Sequence, residues 1–197
     1  VSALPFSAND SYLTFDGSND YAFKSGSLSL DADRFSVEAW VYDEATSNGE
    51  HGVLRIGTTN RIFIQVVKGS SSNEVTLGMN GTSSHISTGF ELPQNEWVHL
   101  AVTRAGATWK FYANGQLYKS GTTGATATID SGGLWIGRSA VGSGNFWKGR
   151  IDQVKIWDYT LSDSDVVTSM HTWSDSGITG GASAPDLVAL YDFNSLS

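Results

Sequence analysis

The side chains that could hold a metal or a ligand fall on two polar loops and a set of aromatic residues. In the segment Asp16-Gly-Ser-Asn-Asp20, the residues Asp16, Asn19 and Asp20 offer carboxylate and amide oxygens from a glycine-containing turn. Hard oxygens of this kind, about six to eight of them, are what Ca2+ takes. The same segment is also good turn sequence, because Asx side chains bond their own backbone. A second acidic loop runs from Asp43-Glu44 through Asn48-Gly-Glu50-His51. It suits a further Ca2+ or a polar ligand such as a sugar hydroxyl, with a plain solvated loop as the competing account.

Seven tryptophans and seven tyrosines are the other resource. Sugar recognition stacks aromatic rings on apolar sugar faces and adds convergent hydrogen bonds. Trp147 follows the loop that ends at Asn145, and this pair is expected at a rim. Tyr42, Asp43, His51 and Arg61 are the neighbouring candidates for ligand contact, although packing explains each of the six equally well. Trp40, Trp97, Trp109 and Trp157 lie inside alternating segments and read as core.

Catalysis finds no support in the spacing. Glu38 stands alone between Val37 and Ala39, and Val154 and Ile156 interrupt the stretch from Asp152 to Asp158. His99 has no nucleophile that the sequence can pair with it. A structural histidine and a chain that is not an enzyme are the expectations.

The elements that must position these groups are strands. Phe35, Val37, Ala39 and Val41 alternate with Ser36, Glu38, Trp40 and Tyr42. Arg61–Lys68 and Glu96–Thr103 repeat that period of two. Asn114-Gly115 reads as a hairpin turn between Trp109–Ala113 and Gln116–Lys119. Further strands are predicted at Tyr12–Phe15, Asp20–Lys24, Val53–Ile56, Glu74–Met79, Leu134–Arg138, Gly149–Trp157 and Leu187–Phe193. Ala45–Gly52 reads as loop. One short helix is expected around Val166–His171, with Ser162 as N-cap and acidic residues in the first turn.

Composition narrows the function classes. With 197 residues, 40% hydrophobic and 12% aromatic, the chain suits one domain over residues 1–197 with a sizeable core. A net charge of −8 with 12 Lys+Arg argues against a nucleic-acid partner. Absence of cysteine removes disulfides and thiolate sites, and no apolar run reaches the ~20 residues of a membrane span. Val1–Pro5 has neither the charged start nor the apolar core of a signal peptide. The expectation is a mature protein or a domain of a longer one.

Several segments, taken in order, resemble the laminin-G-like branch of the concanavalin A-like lectin/glucanase superfamily. They are Tyr12–Tyr21, Phe35–Val41, Glu96-Trp-Val-His-Leu-Ala-Val-Thr103, Phe111-Tyr-Ala-Asn-Gly115, Leu134-Trp-Ile-Gly137, and Phe146–Trp157 with Leu161-Ser162. The resemblance implies an all-β, two-sheet antiparallel jelly-roll sandwich with one short rim helix. It implies Ca2+ held between the Asp16–Asp20 loop and Asp152. It also implies that glucanases of this fold would show paired carboxylates on one strand, which this chain lacks. The favoured function is a secreted or cell-surface module that is calcium-stabilised and binds a glycan or polysaccharide, in recognition or adhesion. The alternatives are a structural or protein-binding domain of a large adhesin, with a cell-surface protein as partner, and then a glycoside hydrolase or polysaccharide lyase.

Overall fold

Strict alternation in the long segments leaves each strand with one apolar face, and two such sheets bury those faces against each other. The computed structural model describes residues 11–28, 30–59, 61–79, 85–123, 129–140, 144–172 and 187–193. In chain order the strands are β1 (Leu13–Asp16), β2 (Ala22–Lys24), β3 (Arg34–Asp43), β4 (Gly49–Ile56), β5 (Ile62–Lys68), β6 (Asn73–Gly78) and β7 (Ile86–Glu91). They continue as β8 (Trp97–Ala105), β9 (Thr108–Ala113), β10 (Gln116–Thr122), β11 (Leu134–Ile136) and β12 (Lys148–Trp157). Helix α1 (Asp163–Ser169) and β13 (Leu187–Tyr191) follow.

One sheet has seven strands in the order β1-β12-β3-β8-β9-β10, with β13 also on β12. β1 lines Lys148–Ile151 of β12 and β13 lines Val154–Trp157, so the two follow each other along one edge. The second sheet has six strands, β2-β11-β4-β5-β6-β7. Among the described residues every strand pair in the two sheets is antiparallel. Phe35, Val37, Val41, Leu54, Ile64, Val66, Leu77, Val98, Leu100, Phe111 and Ile151 meet between the sheets.

The helix sits further in than a rim. It packs on the outer face of the seven-stranded sheet, where Val166 meets Ala101, Tyr112, Trp157 and Leu161. Ser162 caps it in a capping box with Asp165. Two other expectations change. β4 begins at Gly49, so Gly49–Gly52 is strand and not loop, paired with Gln65–Lys68. β7 has no counterpart in the sequence reading, because Ser87-Thr-Gly89 at the middle of Ile86-Ser-Thr-Gly-Phe-Glu91 resembles a loop.

Candidate functional site

The outer face of the six-stranded sheet carries a pocket of about 310 Å³ lined by Glu50, Arg55, Thr58, Arg61, Phe63, Gln65, His85, Ser139, Ala140 and Asn145. Its residues come from β4, β5, the connection between them, and the segments after β6 and β11. Two glycines let these segments close on one another. A Cβ on Gly52 would lie 2.0 Å from the Ser139 nitrogen, and one on Gly78 would lie 1.9 Å from the Phe63 ring. Asn145 takes a left-handed φ of 57°, which asparagine tolerates. Its carbonyl accepts from Gly52 N at 3.0 Å and from Ser139 N at 3.3 Å. That double bond fixes the Asn145 segment against β4.

Polar groups converge there. Asn145 Nδ2 donates to Glu50 Oε2 at 2.6 Å, and Glu50 Oε1 lies 3.6 Å from His85 Nδ1. Both Glu50 and His85 are partly exposed, at 36% and 33% of the side chain. The His85 ring stands edge-on to Phe63 at 5.5 Å, and Ser139 Oγ donates to Gln65 Oε1 at 2.7 Å. On the other wall the Arg55 guanidinium donates to the carbonyls of Gly57 at 2.7 Å, Ser139 at 2.7 Å and Thr58. Burial, then the nearby Arg61 charge, lower its pKa to about 10. The loop that supplies those carbonyls is itself held. Asp130 accepts from Thr58 N, Thr59 N, Gly132 N and Thr58 Oγ1 at 2.6 to 3.0 Å. Beside the pocket, Phe23, Trp135, Arg55 and Phe63 stand in register across β2, β11, β4 and β5.

Of the candidates read from sequence, Arg61 and Asn145 line this pocket. The others lie elsewhere. Trp147 is fully buried in the main core, not at the rim; it stands just before β12, where its backbone N donates to the Gly137 carbonyl at 2.9 Å. His51 is also buried; its Nε2 lies 3.0 Å from the Ser47 carbonyl and its Nδ1 3.3 Å from the Phe146 carbonyl. Asp43 is buried and accepts from Ala45 N and from Asn73 Nδ2, with Lys68 at 3.7 Å. Tyr42 lies on the opposite sheet, on the outer face. There the Arg150 guanidinium sits 4.6 Å from its ring and 5.1 Å from that of Tyr12. Trp97 is half-exposed beside both tyrosines rather than core.

Of the four residues assigned to calcium by resemblance, Asp16, Asn19 and Asp20 share one turn and Asp152 stands apart from it. Asp16 pairs with Lys148, and Asp152 lies four residues further along β12, roughly 13 Å at strand rise. Asp16 Oδ1 accepts from Ser18 N and Asn19 N, and Asp20 Oδ2 from Asp16 N, as a turn does. Asp152 is buried, with Oδ1 accepting from Gln153 N. Among the described residues no group of three His, Cys, Asp or Glu is placed to hold a metal ion.

Glu38 and His99 form a buried cluster under α1. Glu38 accepts from His99 Nε2 at 3.1 Å, Trp157 Nε1 at 3.0 Å and Ser169 Oγ, with Lys155 Nζ at 3.7 Å. Burial would raise the Glu38 pKa, but the His99 bond and the Lys155 charge prevail and hold it below its ordinary value.

Two antiparallel sheets in this order, with a polar pocket on one outer face, define a lectin-type β-sandwich. The chain belongs to the concanavalin A-like lectin/glucanases superfamily, whose family model matches residues 15–167. Among curated proteins none matches the sequence. Solved structures do resemble it. The heptameric SAP-like pentraxin from Limulus polyphemus aligns with a TM-score of 0.66 and 20% identity, over 88% of this chain and 86% of that one. Domain 4 of an extracellular arabinanase from Geobacillus stearothermophilus, solved with arabinotriose, aligns at 0.58 and 20%, over 80% of this chain and 87% of that one. The enzymatically active domain of bacteriophage CBA120 tailspike protein 2 aligns at 0.68 and 15%, over 96% of this chain but 32% of that one. At these identities the likeness is one of fold.

Proposed function

We propose that this domain is a non-catalytic extracellular module that binds a saccharide in the pocket outside the six-stranded sheet. The observation that carries the reading is the Asn145–Glu50–His85 arrangement, in which a carboxylate, an amide and an imidazole face one opening. Sugar hydroxyls both donate and accept, and a carboxylate already oriented by an amide meets them without further ordering. The arabinotriose bound to a domain of the same fold supports a glycan as the ligand class. Enclosure of Glu38 beneath α1, with three hydrogen-bond donors around it, supports the non-catalytic part. Calcium is left out of the reading, because the Asp16–Asp20 oxygens and Asp152 do not meet.

A glycan array followed by calorimetry tests it. One or more saccharides should bind, and Glu50→Gln should weaken them about ten-fold or more, as loss of a charged hydrogen bond does. Undiminished binding by that variant would reject the pocket, and an empty array would reject the ligand class.

A second reading, a protein-contact module, is favoured by one feature. Tyr12, at 43% exposure, stands with Tyr42, Trp97 and Arg150 on the outer face of the seven-stranded sheet. Aromatic residues and arginine are enriched at protein interfaces.

A further inference from the structure

We infer that the pocket selects saccharides carrying a negative charge, as a carboxylate or a sulfate ester, over neutral ones. This rests on the glycan reading above. The chain has a net charge of −8 and six arginines, yet Arg55, Arg61 and Arg138 gather at this one corner. Arg55 and Arg61 line the pocket, and Arg138 forms a bridge with Phe146, next to Asn145.

None of the three ion-pairs with a carboxylate among the described residues, whereas Arg104 pairs with Asp33 and Arg150 with Glu44. The three carbonyls around Arg55 accept from its N–H groups and bring no full charge to offset its own. Arg61 lies over the Phe63 ring at 5.6 Å, and its Nε is buried with no partner. The Arg138 guanidinium lies 5.1 Å from the Tyr21 ring and 5.0 Å from the Phe146 ring. It is 7% exposed, with Nε and Nη2 unpartnered. The charges act on one another, since Arg61 and Arg138 both depress the Arg55 pKa after burial has done so. Asp130, held by the Thr58, Thr59 and Gly132 backbone and the Thr58 hydroxyl, opposes them at Arg55. Glu50 faces His85 across the opening, so three guanidiniums meet two carboxylates and one positive charge is left over. A neutral sugar would leave that excess positive charge unmet. An oxyanion meets it with charge-assisted hydrogen bonds, and arginine favours planar carboxylates and tetrahedral sulfates alike.

Calorimetry on the whole chain with three matched oligosaccharide sets decides the matter: a uronate oligomer, its methyl ester, and a neutral oligomer with and without sulfate. The charged members should bind at least about ten-fold tighter than their neutral counterparts, by a margin that shrinks as salt is raised. Arg61→Gln should cut the margin to below about three-fold and Arg61→Lys should keep most of it, with melting temperature checking that both variants fold. Whether the uronate or the sulfate gains more names the anion. Equal affinity for charged and neutral members would overturn this inference and leave the glycan reading standing. Binding by no member would remove both.

Discussion

Asn145 Nδ2 donates to Glu50 Oε2 at 2.6 Å across a separation of 95 residues. The bond joins the segment before β12 to the start of β4, where the Asn145 carbonyl is also anchored to Gly52 N. The recognition groups are thus held by backbone bonds, not by loop packing alone. Pre-orientation of this kind lowers the ordering cost of binding.

The Asp130 latch should act on binding without touching a ligand. Asp130→Ala releases Thr58 and Thr59, and with them the carbonyls that hold Arg55. Chemical unfolding should show a loss of about 1–3 kcal/mol, accompanied by a several-fold drop in glycan affinity. Full affinity in a destabilised variant would show that the Thr58 loop does not shape the site.

Trp147 should behave as core. Trp147→Ala should cost about 3–5 kcal/mol. Trp147→Phe should cost clearly less, because the buried Nε1 has no partner to lose. A Trp147→Ala variant of unchanged stability but impaired binding would restore the rim position.

Stability should fall with acid. Burial depresses the His99 pKa against the pull of Glu38, so the unfolded chain takes up a proton near pH 6.5 that the folded chain refuses. The stability is complete above that pH and declines below it, by at most about 1.4 kcal/mol per pH unit for one proton. Glu38, also depressed, adds a further decline below its unfolded pKa of about 4.3. Urea unfolding between pH 7.5 and 5 should show the first limb and His99→Gln should flatten it. Identical slopes in both proteins would contradict the assignment.

A chelator should leave the melting temperature unchanged. Asp16 and Asp20 are engaged in the backbone bonds of one turn, and Asp152 accepts from Gln153 N at another place. A clear drop in EDTA, abolished by Asp152→Ala, would return calcium to the account.

Much of the fold was legible because period-two alternation is strong in β3, β5 and β8, where one face is fully buried. β7 escaped because Ser87-Thr-Gly89 interrupts its apolar residues and it pairs only as an edge. The site was less legible. Glu50 and His51 are adjacent, but register sets Glu50 beside Val67 and His51 beside the core residue Val66. Neighbours on a strand face opposite sides, so choosing His51 missed the pocket by one residue. Phe63, Gln65 and His85 carried no sequence signal for binding; only the β4–β5 pairing and the segment before β7 bring them to Asn145.

The central claim is that a glycan occupies the pocket of the six-stranded sheet. The most direct test is an amide NMR titration of the whole chain with the best-binding saccharide. The account predicts shifts concentrated at Glu50, Arg61, Phe63, Gln65, His85 and Asn145. Shifts concentrated instead at Tyr12, Tyr42 and Trp97, on the opposite sheet, would contradict it.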